Sequence, residues 1–325
     1  MKEYIARKIA YALLTLYIIA TLNFVIFQVI TPIDPTTMMV DPRWTVELKE
    51  ALKRLWGLDQ PLNVRYVKYI INMFTFNFGY SFMSKRPVIV EISERLGNTL
   101  ILLGSGLVAT VILGIPLGVL AASKRGSKLD VLAIGFGLFT WGVPAFFIQL
   151  LFLLLFCNYL GWLPFGGMYP PGKPPEDMLT FIITITRHLV LPVTTLVLAE
   201  FGSWALYARN MMVDTLTQDF ILTARAKGIK ERSILFHHGL RAALPPILTL
   251  VALSIPPLFT GAVITEYVFT WPGIGYWFLT SMLKCDYPAV QALLFIYAIL
   301  MVGANFISDI LYGFLDPRIR IGARR

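Results

Sequence analysis

The chain has 325 residues, of which 57% are hydrophobic and only 14% are charged. Soluble globular domains carry roughly 25% charged residues, so this composition indicates an integral membrane protein. The formal net charge is +9. Nucleic-acid binding is disfavoured as the explanation of this positive charge. That function needs basic residues interleaved with stacking aromatic residues, and the aromatic residues here lie mostly in apolar segments.

Six apolar runs are long enough for a helix of ~20 residues to cross a ~30 Å hydrocarbon core. In chain order they cover 9–30, 99–122, 131 to about 160, 188 to about 206, 242–265 and 287–314. The runs are continuous rather than alternating, which argues against the strands of a membrane barrel. The sequence therefore predicts an all-α membrane protein with six transmembrane helices.

The distribution of lysine and arginine predicts the orientation. Sixteen of them lie in the N-terminal segment, the loops after the second and fourth runs and the C-terminal tail, whereas the two later loops on the other side hold three. Cytoplasmic loops carry the excess of basic residues, so both termini are predicted to be cytoplasmic in a multi-pass protein of the plasma or inner membrane. The first run is longer than that of a signal peptide and no A-x-A site follows, so we expect it to remain as an anchor.

Three regions follow from these assignments. Residues 1–30 form the N-terminal cytoplasmic segment and first span, 31–95 a large extracytoplasmic insert, and 96–325 the core transmembrane domain. Within the insert, the apolar residues of 45–56 (TVELKEALKRLW) recur at helical spacing, which predicts an amphipathic helix. The second outer loop, 161–177, is rich in proline and glycine and predicts an ordered turn or a flexible flap.

No catalytic, cofactor-binding or metal site is predicted in this chain. The run GMYPPGK at 167–173 begins like a phosphate-binding loop, but Pro174 replaces the Ser/Thr that would bind magnesium, and two prolines remove amide donors. The three histidines lack metal-ligand spacing. Cys157 and Cys285 fall near the outer ends of spans, and the sequence leaves open whether they pair.

A charged segment, DFILTARAKGIKERSILFHHGLRAALPP, separates the fourth and fifth runs at 219–246, within a cytoplasmic loop taken as 214–245. Asp219 is suited to a helix N-terminus and Gly228 to the left-handed residue after a helix, so we predict a short helix, a glycine turn and a second helix. The small Ala224 and Ala226, rimmed by basic residues, fit a cleft in another protein. A loop lying on lipid headgroups remains the alternative.

The same segment resembles the EAA loop of permeases of the ABC-importer type, specifically the dipeptide/oligopeptide family, in its TARAKG core and the following Glu-Arg. Further similarity lies in EYVFTWPGIG (266–275), CDYP (285–288), DILYGFLDPRIR (309–320) and LDQP (58–61). Leu222 and Thr223 stand where a general EAA loop has Glu-Ala, which weakens any role for a carboxylate at this position. These motifs stand in the family's order over nearly the whole chain, which makes the resemblance specific.

The resemblance implies the type I ABC importer permease architecture, and it implies partners. These are a second, homologous permease in a heterodimer, two ATPase subunits, an extracytoplasmic substrate-binding protein and the lipid bilayer, with no nucleic acid. ATP and magnesium would bind the ATPases, not this chain. The residues expected to dock on the ATPase are Asp219, Thr223, Ala224, Arg225, Ala226, Lys227, Gly228, Glu231 and Arg232.

Ionisable residues inside membrane helices usually face a bundle interior or a water-filled path. Glu200 is predicted either to line such a path or to be paired locally, and Asp309, in the Asp-x-x-Tyr pattern of the family, to be structural. Prolines at 116, 144, 256 and 257 are candidate kinks. The stretch 266–275, with Glu266, Pro272 and Gly273, predicts an outer gate or re-entrant scoop, an interfacial aromatic belt being the alternative.

The expected function is that of the permease subunit of an ATP-driven, binding-protein-dependent importer. A secondary transporter or channel that works without ATPase partners is the alternative from another class, although the inverted repeats that would favour it are not found in this sequence. An assembly scaffold without a transport path is a third. Di- or oligopeptides are the default substrate by resemblance, with oligosaccharides or nickel left open.

Overall fold

The computed structural model describes residues 2–30, 50, 59–172, 175, 177–259 and 261–315. Within those ranges the chain is helical, and the only β pairing is an isolated bridge between Tyr80 and Pro87. The helices are α1 Lys2–Phe24, α2 Leu62–Phe74, α3 Val88–Ser123, α4 Lys128–Gly142, α5 Ala145–Phe152, α6 Met178–Leu216, α7 Asp219–Ala226, α8 Glu231–Ser233, α9 Arg241–Ser254, α10 Val263–Val268, α11 Ile274–Leu283 and α12 Tyr287–Leu315. The predicted all-α class is confirmed.

Wider π-helical turns continue three of these helices. They cover Val25–Ile30 after α1, Leu153–Tyr159 after α5 and Ile234–Leu240 between α8 and α9. With these extensions, five helices of the described chain are long and apolar enough to cross a membrane, and a sixth crossing arises if one bent helix pair counts as a single span. The predicted six spans therefore hold only when the third is allowed to be broken.

The third predicted span is not one straight helix. The axes of 130–142 and 145–159 differ by 91°. Val143 and Pro144 between them are extended, with ψ of 129° and 125°. Proline disfavours helical geometry in the residue before it, so Pro144 ends α4 and begins α5. The proline identified from the sequence as a candidate kink thus produces a right-angled break.

The fifth predicted span ends earlier than expected. The regular helix ends at Ser254 and is followed by a 3₁₀ turn, Pro256–Phe259, so the end placed at residue 265 is wrong. Two adjacent prolines remove two backbone donors, and Gly261 has a φ of +79°, which a helix does not allow. Glu266 consequently belongs to the separate helix α10 and not to the end of a span.

The described residues divide into two compact units. One contains Met1–Gly97 with Ile274–Arg325, and the other Asn98–Gly273. In the first unit α1, α2, α11 and α12 enclose an apolar core that includes Ala20, Met73, Trp277 and Leu293. Polar contacts join its elements, since Asn23 donates to the Gln291 carbonyl (2.9 Å), and the fully buried Asp286 accepts from the Ser81 hydroxyl and from the Phe82 N–H (2.9 Å).

In the second unit, small residues let long helices approach closely. A side chain on Gly137 of α4 would meet the Gly202 backbone of α6, and one on Gly118 of α3 would meet the carbonyl of Ala205. Small residues at helix crossings are the usual means of tight packing in membranes, where apolar burial alone gives little driving force. Helix α6 is thereby held between α3 and α4, and it leads directly into the charged segment.

The loops predicted to be extracytoplasmic are only partly described. The amphipathic helix predicted at 45–56 lies outside the described residues apart from Glu50, which is helical. The loop 161–177 is irregular where described, with positive φ at Gly161, Gly167 and Gly172, and it ends at Asp177, which accepts the Thr180 N–H and caps α6. That hydrogen bond lowers the pKa of the Asp177 carboxyl. Cys157 and Cys285 are free thiols in the described chain, so they form no disulfide.

Candidate functional site

The charged segment folds as a helix, a glycine turn and a second helix. Helix α7 begins at Asp219, and Gly228 follows it with φ of +72°. The Gly228 N–H donates to the Arg225 carbonyl (2.9 Å) and the Ile229 N–H to the Ala224 carbonyl (3.3 Å). This pair of bonds is the Schellman arrangement that satisfies the last carbonyls of a helix. The predicted helix–turn–helix and the role of Gly228 in it agree with this geometry.

One face of α7 packs against the chain itself. Ile221 and Ala224 are buried together with Ile234 of the second helix, and Leu216 and Ile229 pack against them. The contact between Ile229 and the inner face of α7 is the apolar contact that accompanies a Schellman turn. The small size of Ala224 therefore serves packing within this chain, which corrects its assignment as a residue presented to a partner.

The opposite face of α7 is exposed. It carries the following side chains: Asp219, Phe220, Leu222, Thr223, Ala226 and Lys227. Phe220 and Leu222 expose 43% and 53% of their surface, high values for apolar residues. Ala226 lies between Leu222 and Thr223 around the helix, so this exposed face has an apolar part with a shallow centre.

An ion pair connects the two helices of the segment. The Arg225 Nε donates to Glu231 Oε1 at 2.8 Å, and both side chains are exposed. Such surface pairs contribute only ~0–1 kcal/mol. Arg225 and Glu231 therefore orient the turn more than they stabilise it, and Arg232 beside them is also exposed.

An apolar contact and an ion pair connect the charged segment to the long helices. Ala208 and Met212 of α6 pack with Ala243 and Ile247 of α9 and with α3. Between Ala208 and Met212 on α6, Arg209 binds Asp130 at the start of α4 with two bonds, Nε to Oδ1 (2.6 Å) and Nη2 to Oδ2 (2.8 Å).

The Asp130–Arg209 pair was not predicted from the sequence. The carboxylate also accepts the Gly126 N–H, and its side chain is only 3% exposed. The sequence offered two signals. Arg209 follows the end of the fourth apolar run, and Asp130 lies three positions after Ser127, just before the third apolar run. Neither position indicates its partner, because the two residues are 79 apart in the chain.

The stretch that begins at Glu266 forms a second, buried polar site. Glu266 is fully buried on α10, and the Thr99 hydroxyl of α3 donates to its Oε1 at 2.9 Å. The chain then turns through Thr270, with φ of +50°, so that the Trp271 Nε1–H donates to the Asn98 carbonyl (2.8 Å).

The two following residues complete this turn. The Asn98 side chain donates to the Pro272 carbonyl at 2.9 Å. Gly273 approaches so closely that an added Cβ would overlap the Glu266 carboxylate and the Thr99 hydroxyl. Beside them Gln149 of α5 donates to the Thr265 hydroxyl (2.8 Å), a buried contact that sequence reasoning also missed. Trp271, Pro272 and Gly273 therefore form a folded-back turn, and its role as an outer gate stays a prediction.

The two remaining intramembrane carboxylates lie apart from these sites. Glu200 is on an exposed part of α6, and its carbonyl accepts the Ser203 hydroxyl (2.7 Å). Its role in a path stays a prediction. Asp309 lies in α12, and its side chain is outside the described residues. Among the residues described, no group of three or more His, Cys, Asp or Glu side chains is arranged to hold a metal ion.

These features define a polytopic helical membrane protein with a two-faced helix between two spans. Residues 114–321 match the family model "Binding-protein-dependent transport system inner membrane component", and residues 1–103 match the model for the N-terminal part of such membrane components. The chain belongs to this family. It is the permease subunit of an ATP-driven, binding-protein-dependent importer and not an enzyme, because the ATPase activity of such systems lies in separate subunits.

Similar proteins cover the chain from end to end. It is 38% identical to the oligopeptide transport system permease protein AppB of Bacillus subtilis and 35% identical to the di/tripeptide transport system permease protein DppB of Pseudomonas aeruginosa. It is 33% identical to the glutathione transport system permease protein GsiC of Escherichia coli K12. Each similarity covers 98% of this chain and 99% of the relative.

Proposed function

We propose that this subunit forms part of the translocation path for di- or oligopeptides. The names of the relatives support that substrate class, since peptide and glutathione systems share peptide-like substrates. The proposed assembly has a second homologous permease, two ATPase subunits that bind ATP and magnesium, and an extracytoplasmic substrate-binding protein that docks on the outer loops. In this assembly both termini are cytoplasmic, as the positive-inside rule predicts.

The exposed face of α7 is the observation that carries the coupling part of the proposal. The exposed face of α7 has Asp219, Thr223, Ala226 and Lys227 between the flanking Phe220 and Leu222, so it is mixed in polarity. Exposed apolar side chains at the edges of a short helix in a loop that we place in the cytoplasm fit a groove on another protein. The contact would be made by Asp219, Thr223, Ala226 and Lys227, with Phe220 and Leu222, while Arg225, Glu231 and Arg232 would lie at its rim. Ala224 and Gly228 would act indirectly, by fixing the angle of α7 against the second helix.

ATP-driven closure of the ATPase subunits would move α7 as a rigid element. The apolar contact with Met212 and Ile247 and the Asp130–Arg209 pair connect the segment to α4, α6 and α9. Movement of packed helices as rigid bodies is a common form of switching. The path itself would be lined in part by Glu200, and the turn of Glu266, Pro272 and Gly273 would act as its outer gate.

Substitution of Ala226 tests the docking face. We expect Ala226→Tyr to prevent co-purification of the ATPase subunits, because the added ring occupies the shallow centre of the exposed face, while Ala226→Ser leaves co-purification intact. Because Ala226 is exposed, both variants should express and melt like the parent chain. Ala224→Glu is unsuitable, since a buried carboxylate would destabilise the segment itself. Equal recovery of the ATPases with Tyr and Ser would contradict docking at this face.

A further inference from the structure

Helix α2 presents three distinct faces around its axis. The first is packed against the protein and carries Tyr66, Tyr69 and Met73. The second is exposed and apolar, with Val64, Val67, Ile71 and Phe74. The third, on the remaining side, is exposed and polar, with Lys68 and Asn72. Residues 64, 67, 71 and 74 recur every three or four positions, so they lie on one stripe about opposite the packed face.

The packed face lies against transmembrane helices at membrane depth. The Tyr66 hydroxyl is 2.8 Å from both the Thr21 Oγ1 and the Tyr17 hydroxyl of α1, and the Phe24 ring contacts Tyr66 and Tyr69. Thr21 lies nine residues, or about 13 Å, inside the end of the apolar span 6–30. At the other end of α2, Phe74 lies on the border between the stripe and the packed face, since it is 37% exposed and its ring also contacts Phe295. Phe295 is eight residues, or about 12 Å, into the span that begins at Tyr287.

A helix that lies beside a helix bundle at a membrane interface is surrounded by protein, by acyl chains and by water with headgroups. The packed, apolar and polar faces of α2 match these three surroundings. A helix wholly in water would expose polar side chains opposite its packed face, whereas here that position is apolar. A helix wholly in hydrocarbon would not place Lys68 and Asn72 side by side on its surface. Amphipathic helices at interfaces bury an apolar face ~5–10 Å below the headgroups and keep the polar face outside.

We propose that α2 is an interfacial helix of the outer leaflet, with lipid acyl chains covering Val64, Val67, Ile71 and Phe74. Lys68 then lies at the headgroup level, where its amine, which donates to Gln60 (2.8 Å), also meets lipid phosphates. The helix widens the lipid-facing surface of the first unit beyond α1 and α12. This placement depends only on membrane insertion and not on the substrate or the ATPase contact.

Spin-label accessibility tests the placement. In a background with Cys157→Ser and Cys285→Ser, a nitroxide is attached at Ile71→Cys or, as the matched control, at the adjacent Asn72→Cys. The complete assembled complex is measured in nanodiscs. We expect collisions with oxygen to exceed those with the polar nickel reagent NiEDDA several-fold at position 71, because oxygen concentrates among acyl chains. At position 72 we expect the ratio to reverse.

Two results would overturn the proposal. Low collision rates with both reagents at position 71 would mean that protein covers the stripe, either the second permease, the binding protein or residues 31–58 of this chain. More frequent collisions with NiEDDA than with oxygen at position 71 would mean that water covers the stripe. Val67→Cys on the same stripe provides the same test if labelling at 71 impairs folding, and ATPase stimulation of the labelled complexes confirms that they remain assembled.

Discussion

At the scale of single residues, Gly228 is the position where backbone conformation decides the local fold. Its φ of +72° lies in the left-handed region, yet an added Cβ would meet open space. Any loss of stability on substitution therefore comes from the backbone conformation and not from a steric clash. A left-handed conformation costs a residue with a side chain roughly 1–2 kcal/mol, and asparagine less than alanine.

We expect Gly228→Ala to loosen the turn and Gly228→Asn to do so less. The Ile229 amide, which donates to the Ala224 carbonyl across the turn, is the direct reporter. Hydrogen exchange of this amide should become roughly five- to thirtyfold faster in the alanine variant, as a loss of ~1–2 kcal/mol implies. Exchange at the parent rate in Gly228→Ala would mean that the second helix is held by its apolar contacts alone.

Other single residues could be predicted only in part. The sequence located the apolar-to-charged transition at Asp219 and the turn at Gly228, because helix caps and glycine have local signals. It did not separate Ala224 from Ala226, although Ile221 and Ala224 are three residues apart and thus share one face. Which side of this short helix faces its own chain depends on Leu216 and Ile234, and those contacts are tertiary.

At the scale of helices, the Asp130–Arg209 pair connects the start of α4 to the C-terminal part of α6. Removing one member leaves a poorly solvated charge, which costs ~3–5 kcal/mol at buried sites. We expect Asp130→Asn and Arg209→Gln each to lower the melting temperature of the purified protein in detergent. The double variant should be less destabilised than the sum of the two single variants, because no unpaired charge then remains.

Thermal unfolding of the four proteins forms a double-mutant cycle for this pair. Strictly additive losses would contradict direct coupling between Asp130 and Arg209. Ser127→Ala is a useful comparison, since its hydroxyl caps α4 through the Asp130 N–H without touching Arg209. The expected loss there is only ~1 kcal/mol, the usual effect of removing an N-cap.

The number of apolar helices was more predictable than their ends. Within the described residues, hydropathy identified the segments long enough to cross a membrane. The break at Pro144 and the early end at Ser254 come from prolines, and hydropathy does not report a change of helix direction. The buried turn from Glu266 to Gly273 was recognised as a motif. Its contacts with Asn98 and Thr99 were not foreseen, since they join residues more than 160 positions apart.

At the scale of the whole molecule, the family assignment makes this subunit dependent on others, because the ATPase activity of such importers lies in separate subunits. The exposed face of α7 is the proposed site of contact with them. Glutathione, di/tripeptide and oligopeptide systems all have relatives of this chain. We therefore expect the permease fold to be shared while the choice of peptide rests with the binding protein.

ATP-driven uptake in proteoliposomes tests the central claim most directly. The vesicles contain this chain, its partner permease and the two ATPases. The binding protein and a labelled peptide are added on the side of the membrane opposite to the ATPases. We predict uptake that requires ATP, the ATPases and the binding protein, is abolished by Ala226→Tyr and is retained by Ala226→Ser. Peptide uptake by the permeases alone, driven by an ion gradient without ATPase subunits, would contradict the account and favour a secondary transporter.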